Sequence, residues 1–153
     1  MKTRRRATRP TAAFWDSSAI VPLCCHQTKT TSARQAARAF PQQIVWWGSR
    51  VEAVSAFSRL VREHALGEEE RAQTVRRLRH LCERWSEIQP VDEVRELALR
   101  LLPEHPIRSA DALQLAAALL WCGGRTRERP FIVGDGALAA AAAAEGFHIL
   151  RVT

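Results

Sequence analysis

Hydrophobic and polar positions along this chain alternate between a strand rhythm and a helix rhythm. Ala12-Ala13-Phe14-Trp15 is a short apolar run that stops at Asp16-Ser17-Ser18, and Ala19-Ile20-Val21-Pro22-Leu23 follows, which predicts a strand, a cap and a helix start. Ile44-Val45-Trp46-Trp47 repeats that grammar. It ends at Gly48-Ser49, after which Ala53, Val54, Phe57, Leu60 and Val61 recur at helical spacing as far as Leu66-Gly67.

Val75, Leu78, Leu81, Cys82, Trp85 and Ile88 then form one stripe, predicting a long amphipathic helix that Pro90 ends. Arg71, Arg76, Arg77, Arg79 and Arg84 fall mainly on its other faces. Val94, Leu97, Ala98, Leu101 and Leu102 predict a further helix closed by Pro103 and Pro106. From Ala110 to Trp121 the chain is apolar on nearly every side, broken only by Asp111 and Gln114, so a heavily buried helix is expected there, stopped by Gly123-Gly124. Phe131-Ile132-Val133 reads as a third strand, Ala137 to Glu145 as an alanine-rich helix, and His148 to Arg151 as a final strand. Strands alternating with helices imply an α/β fold with a central, mostly parallel sheet flanked by helices.

With 153 residues, 46% of them hydrophobic, one compact domain over 12–153 is the simplest organisation. Residues 1–11 are basic and without apolar periodicity, and are expected to be a flexible arm. The net charge of +7 suits a phosphate-bearing partner. Almost all of that charge is arginine, with Lys2 and Lys29 the only lysines, so composition alone separates a nucleic-acid binder poorly from an arginine-rich chain. Cys24, Cys25, Cys82 and Cys122 form no CxxC pair and no zinc spacing, and are expected to be reduced core residues. There is neither a signal-peptide pattern nor a run of about 18 apolar residues, so a soluble, cytoplasmic protein with no membrane partner is expected.

Four acids occupy equivalent addresses. Asp16 follows the first strand, Asp135 follows the third, and Glu52 and Asp111 fall in the first turns of helices. In an open parallel sheet the carboxyl ends of the strands and the amino ends of the following helices share one edge, where ligands collect. Each acid has an ordinary explanation when taken singly: Asp16 and Asp135 as helix caps, Asp111 as a helix-start residue near Arg108, and Glu52 as a solvated glutamate on the polar side of its helix with Arg59 and Glu63. Asp111 is the most informative, because a carboxylate on a buried helix must be paired, hydrogen-bonded or metal-bound. Together they would form a cluster that cannot stay fully ionised without a divalent cation, and oxygen-only ligation selects Mg²⁺ or Mn²⁺. Such an ion activates water and polarises a phosphodiester, so phosphodiester hydrolysis is the expected chemistry.

These residues resemble a known family. Ile107 to Leu119, with Asp111 as its acid, looks like the third-acid helix of PIN-domain proteins, and Phe14-Trp15-Asp16-Ser17-Ser18-Ala19 looks like their opening strand and first acid. Ser49-Arg50-Val51-Glu52-Ala53 and Phe131 to Leu138, which carries Asp135, are similar to the segments of the second and fourth acids. The likeness covers about residues 12 to 153 and is strongest with VapC-type toxin ribonucleases of type II toxin–antitoxin pairs. It implies a PIN-like nuclease domain over 12–153, with Asp16, Glu52, Asp111 and Asp135 as catalytic and metal-binding residues for Mg²⁺ or Mn²⁺. It also implies endoribonuclease activity, a cognate antitoxin protein as partner, and a homodimer. The chain departs from the pattern at Val133, where a hydroxyl or thiol is common in the family; this weakens the hydrogen-bond support expected around Asp135. Arg108 and Ser17 are further candidates for RNA contact, each equally well read as a structural residue.

The competing class is a catalytically inactive PIN-like module that binds RNA or protein, and the presence of all four acids weighs against it. A receiver-type phosphoacceptor domain needs a lysine near a late strand end, and Lys2 and Lys29 stand early. No GxxxxGK[ST] or GxGxxG motif marks a nucleotide site, and no nucleophile elbow accompanies His26 near Cys24 and Cys25.

Overall fold

The computed structural model describes residues 10–153, so most of the expected basic arm, residues 1–9, lies outside the described residues. Twelve elements follow in order: β1 (Ala12–Trp15), α1 (Ser17–Cys24), α2 (Thr30–Ala39), β2 (Gln42–Trp46), α3 (Ser49–Arg62), α4 (Glu68–Cys82), β3 (Ser86–Ile88), α5 (Asp92–Glu104), α6 (Ser109–Trp121), β4 (Pro130–Val133), α7 (Gly136–Ala144) and β5 (His148–Arg151).

The five strands form one parallel sheet in the order β3-β2-β1-β4-β5. Alternation of side chains across the pleat sends successive residues to opposite layers. Phe14, Trp46, Phe131 and Val133 pack with α5, α6 and α7, whereas Ala13, Trp15, Val45 and Ile132 pack with α1 to α4. This division follows from crossover handedness. The chain steps outward from β1 through β2 to β3, then returns to the other side of β1 for β4 and β5, and right-handed connections place the two sets of helices on opposite faces. The strand order therefore reverses between β1 and β4, which opens a crevice at their carboxyl ends.

Two elements differ from the sequence expectation. The helix anticipated up to Ile88 ends at Cys82, and Ser86–Ile88 is a parallel edge strand paired with Ile44 to Trp46. Trp85 and Ile88 continue the helical spacing of Val75, Leu78 and Leu81 by coincidence: Trp85 packs in the layer of α4, but Ile88 packs in the opposite layer. A three-residue strand is too short to show its own alternation. The second is α2, unmarked by apolar periodicity because its buried positions are the small residues Thr30, Ala33 and Ala36. Pro103, expected to close α5, sits inside its last turn, one residue before the helix ends at Glu104. Gly123 and Gly124 stop α6 as expected, with φ of +58° and +74° that side-chain-bearing residues rarely adopt.

Candidate functional site

Asp16 stands where β1 ends and α1 begins. Its backbone amide donates to the Ile132 carbonyl of β4 (3.0 Å), and its Oδ2 accepts from the Ser18 amide (3.0 Å) and the Ser18 hydroxyl. Only 4% exposed, its carboxyl is pushed up to a pKa of about 6 by burial, against the Ser18 hydrogen bonds and with a further rise from the charge of Asp111. The Ser18 hydroxyl also accepts from the amides of Gly134 (2.8 Å) and Asp135 (3.2 Å). One side chain thus ties the ends of β1 and β4 together across the point where the strand order reverses.

Glu52 lies in the first turn of α3 and is half-buried, which overturns its reading as a solvated surface residue. The cause is α6, whose fully buried Gln114 donates from Nε2 to Glu52 Oε2 and to Ser49 Oγ (3.1 Å). Burial, then the charge of Asp16, pushes the Glu52 pKa up to about 7; the Gln114 bond opposes this and Asp111 adds to it. Asp111, half-buried in the first turn of α6, accepts at Oδ2 from the Arg108 amide (3.2 Å). Its pKa is raised by burial and by Asp135, against that hydrogen bond. Asp135 caps α7, accepting at Oδ1 from the Leu138 amide (2.8 Å), and is exposed.

Glu52, Asp111 and Asp135 line one cleft of about 1030 Å³, together with Ser17 and Ser18, the neighbours of Asp16. In each of the four acids the hydrogen bonds go to one carboxylate oxygen, leaving the other uncommitted. Among the described residues none of the four forms a salt bridge. Buried and half-buried carboxylates that offer only oxygen, form no salt bridge and feel an opposing cation only at Asp111, from Arg108, suit a hard divalent cation. They do not form a closed cage: no three of these acids bring donor atoms within 4.8 Å of one another. The only such trio among the described residues is Glu104, His105 and Glu145, where α5 and α7 end. There Arg100 (3.1 Å) and His105 (2.8 Å) already hold the Glu145 carboxylate, which makes that trio part of an ion-pair network. A second depression of about 900 Å³, floored by Leu97 and Leu120, contains none of the four acids.

Arg108 and Ser17 both line the cleft; Arg108 is exposed at the start of α6 and Ser17 is half-buried. Val133 is fully buried in the α5–α7 layer, and the support that it cannot give to Asp135 comes from Ser18 on α1. Sequence reasoning missed Ser18 and Gln114. Only Gln114 left a signal, as one of two polar residues on an otherwise apolar helix, one turn after Asp111. Lys29 also stands at the cleft, its Nζ 3.4 Å from the Gly134 carbonyl at the end of β4, although it is early in the chain. The receiver-type reading therefore fails on topology rather than on its lysine, since that fold has the strand order 2-1-3-4-5.

An acid-lined cleft at the reversal point of a five-stranded parallel sheet, covered by helices on both faces, defines the architectural class. Within that class the fold is PIN-like, as three solved structures show. A toxin–antitoxin complex from Klebsiella pneumoniae contains a chain similar at 20% identity and a TM-score of 0.58, covering 81% of this chain and 87% of that one. A protein of Pyrobaculum aerophilum is similar at 18% identity and a TM-score of 0.58, covering 93% and 92%. A member of the VapBC family of toxin–antitoxin systems from Mycobacterium tuberculosis, VapBC-5, is similar at 19% identity and a TM-score of 0.55, covering 94% and 100%. At these identities the likeness is one of fold. No family profile matches the chain. No curated protein matches it either.

Proposed function

We propose that this chain is a metal-dependent endoribonuclease and the toxin of a toxin–antitoxin pair, held in check by a small antitoxin protein. The observation that carries the reading is the arrangement of the four acids. Glu52, Asp111 and Asp135 line one cleft, and the buried Asp16 adjoins it through Ser17 and Ser18; each of the four has one oxygen held by a donor and one left uncommitted. The likeness in fold to a toxin–antitoxin complex and to a VapBC-family member supports the toxin half of the reading.

In this reading Asp16, Glu52 and Asp111 hold Mg²⁺ or Mn²⁺, and Asp135 supports the ion directly or through water. The bound ion lowers the pKa of water and shields the charge that develops on the phosphate. The chain's own residues set the geometry. Ser18 fixes the rotamer of Asp16 and the turn that carries Asp135, so the two strand ends move as one unit. Gln114 aims the Glu52 carboxylate and screens it from the apolar core of α6. Hydrolysis adds water across a P–O bond of the RNA backbone, leaving a hydroxyl and a phosphate monoester. The net charge of +7 provides long-range attraction for the polyanion, and Arg59 and Arg108 stand at the cleft itself.

The test is cleavage of total cellular RNA by the purified wild type and by Asp16→Asn, each with Mg²⁺ or Mn²⁺ and then with EDTA. Cutting by the wild type alone, abolished by EDTA, is the expected result; cutting that survives the substitution or the chelator refutes it. Co-expression with the product of the adjacent gene is expected to yield a stable complex in which cleavage is suppressed.

A further inference from the structure

Lys29 is a cation without a carboxylate partner at the wall of an acidic cleft. It is half-buried in the turn before α2, and none of the salt bridges among the described residues involves it. Its one hydrogen bond is long, 3.4 Å to the Gly134 carbonyl. That carbonyl already accepts a shorter bond, 3.0 Å, from Arg151 Nη2, so Lys29 is not required to satisfy it. The ammonium can lie this low because position 134 has no side chain: a Cβ there would stand 3.3 Å from Nζ and 3.1 Å from the Ser18 carbonyl. Gly134 immediately precedes Asp135, so the ammonium reaches the backbone of the turn that carries the fourth acid, the turn that Ser18 ties to Asp16.

A lysine ammonium has three donors, and at most one is used here. Burying part of a cation without a counter-ion is unfavourable, and the arrangement becomes favourable when an anion enters the cleft. The other cations of the cleft differ. Arg59 is shared with Glu63 (4.0 Å) and Arg108 is exposed, whereas Lys29 is half-buried in the wall of the cleft.

We propose that Lys29 is a substrate-positioning residue whose ammonium takes a non-bridging oxygen of an RNA backbone phosphate, seating the strand against Asp135. This rests on the nuclease reading above and adds a specific phosphate contact to it. A compact ammonium suits a single phosphate oxygen, and it supplies positive charge where the cleft would otherwise repel the backbone.

The experiment measures binding of a fluorescein-labelled single-stranded oligoribonucleotide by anisotropy over a series of salt concentrations. The full chain carries Asp111→Asn to prevent cleavage, alone or combined with Lys29→Gln or Lys29→Arg, and the thermal midpoint of each variant is recorded. On single-stranded RNA one phosphate contact contributes about 0.7 to the slope of log affinity against log salt. Lys29→Gln is expected to reduce the slope by about that amount, to weaken binding several-fold and to leave the thermal midpoint within about 2 °C, and Lys29→Arg is expected to restore most of the slope. In the cleaving protein Lys29→Gln should raise KM more than it lowers kcat. An unchanged slope with cleavage by the wild type intact overturns the phosphate seat alone. A fall in midpoint that parallels the loss of binding, without rescue by Lys29→Arg, overturns it in favour of a prop for the β4–α7 turn. If the wild type does not cleave and the Asp111→Asn parent does not bind, the nuclease reading fails and this proposal fails with it.

Discussion

Gln114 on α6 and Glu52 on α3 are joined by a hydrogen bond between side chains 62 positions apart in the chain, and the same amide also donates to Ser49. The two helices belong to opposite layers of the sheet, so this contact holds the layers in register where the acids meet. Gln114 is fully buried, and its carboxamide is the polar group that allows Glu52 to sit half-buried above an apolar core. Gln114→Ala should leave Ser49 and Glu52 short of a donor and cost about 1–3 kcal/mol of stability, measured by urea denaturation. Gln114→Glu should be worse at pH 8 and milder at pH 5, because a fifth carboxylate is tolerated only when protonated.

Ser18→Ala removes the hydroxyl that joins Asp16 to the Gly134 and Asp135 amides. A loss of about 1–3 kcal/mol is expected, along with weaker Mn²⁺ binding read by calorimetry, since both strand ends lose their common tie. Ser17→Ala, which breaks no hydrogen bond found among the described residues, should change stability by less than about 0.5 kcal/mol.

In EDTA the protein should become less stable as pH rises from about 4 to about 7. The carboxyl groups of Asp16, raised from 3.8 to about 6, and of Glu52, raised to about 7, bind protons more tightly in the folded chain than in the unfolded one. Their stabilising contribution is complete below the unfolded pKa and is lost as pH rises through the folded one. For Asp16 the shift corresponds to roughly 3 kcal/mol. Thermal melts at each pH should show the decline, Mg²⁺ or Mn²⁺ should reverse it at pH 8, and Asp16→Asn should flatten the profile and abolish the response to metal. A melting profile that rises over this range in EDTA would contradict the raised acids.

Glu145→Gln tests whether the other acidic cluster is structural. Its carboxylate is held by Arg100 and His105, and the loss should cost about 1–2 kcal/mol without changing Mn²⁺ affinity or RNA cleavage. Altered metal binding in that variant would move the metal site away from the cleft.

Much of this architecture could be read from the chain by itself, because local rules specify it. The continuous apolar runs at Phe14-Trp15 and Phe131 to Val133, the period near 3.6 in α3 and α5, the all-round apolar character of α6, and the breaks at Gly67 and Gly123-Gly124 depend only on backbone geometry and on which faces are apolar. The repeated placement of Asp16, Glu52, Asp111 and Asp135 at the ends of strands and the starts of helices was equally local, and it pointed to one edge of a parallel sheet. The tertiary structure decided what depends on residues far apart in sequence. The short edge strand Ser86–Ile88 exists because β2 offers it a partner, although its own sequence continues a helical stripe. Glu52 is half-buried because Gln114 covers it from another layer, Ser18 supports Asp135 across 117 positions, and Lys29 reaches the end of β4 although it precedes that strand by a hundred residues. Periodicity encodes which face of an element is buried, whereas the pairing of individual polar groups is set by how the faces meet, and that is fixed only when the layers pack.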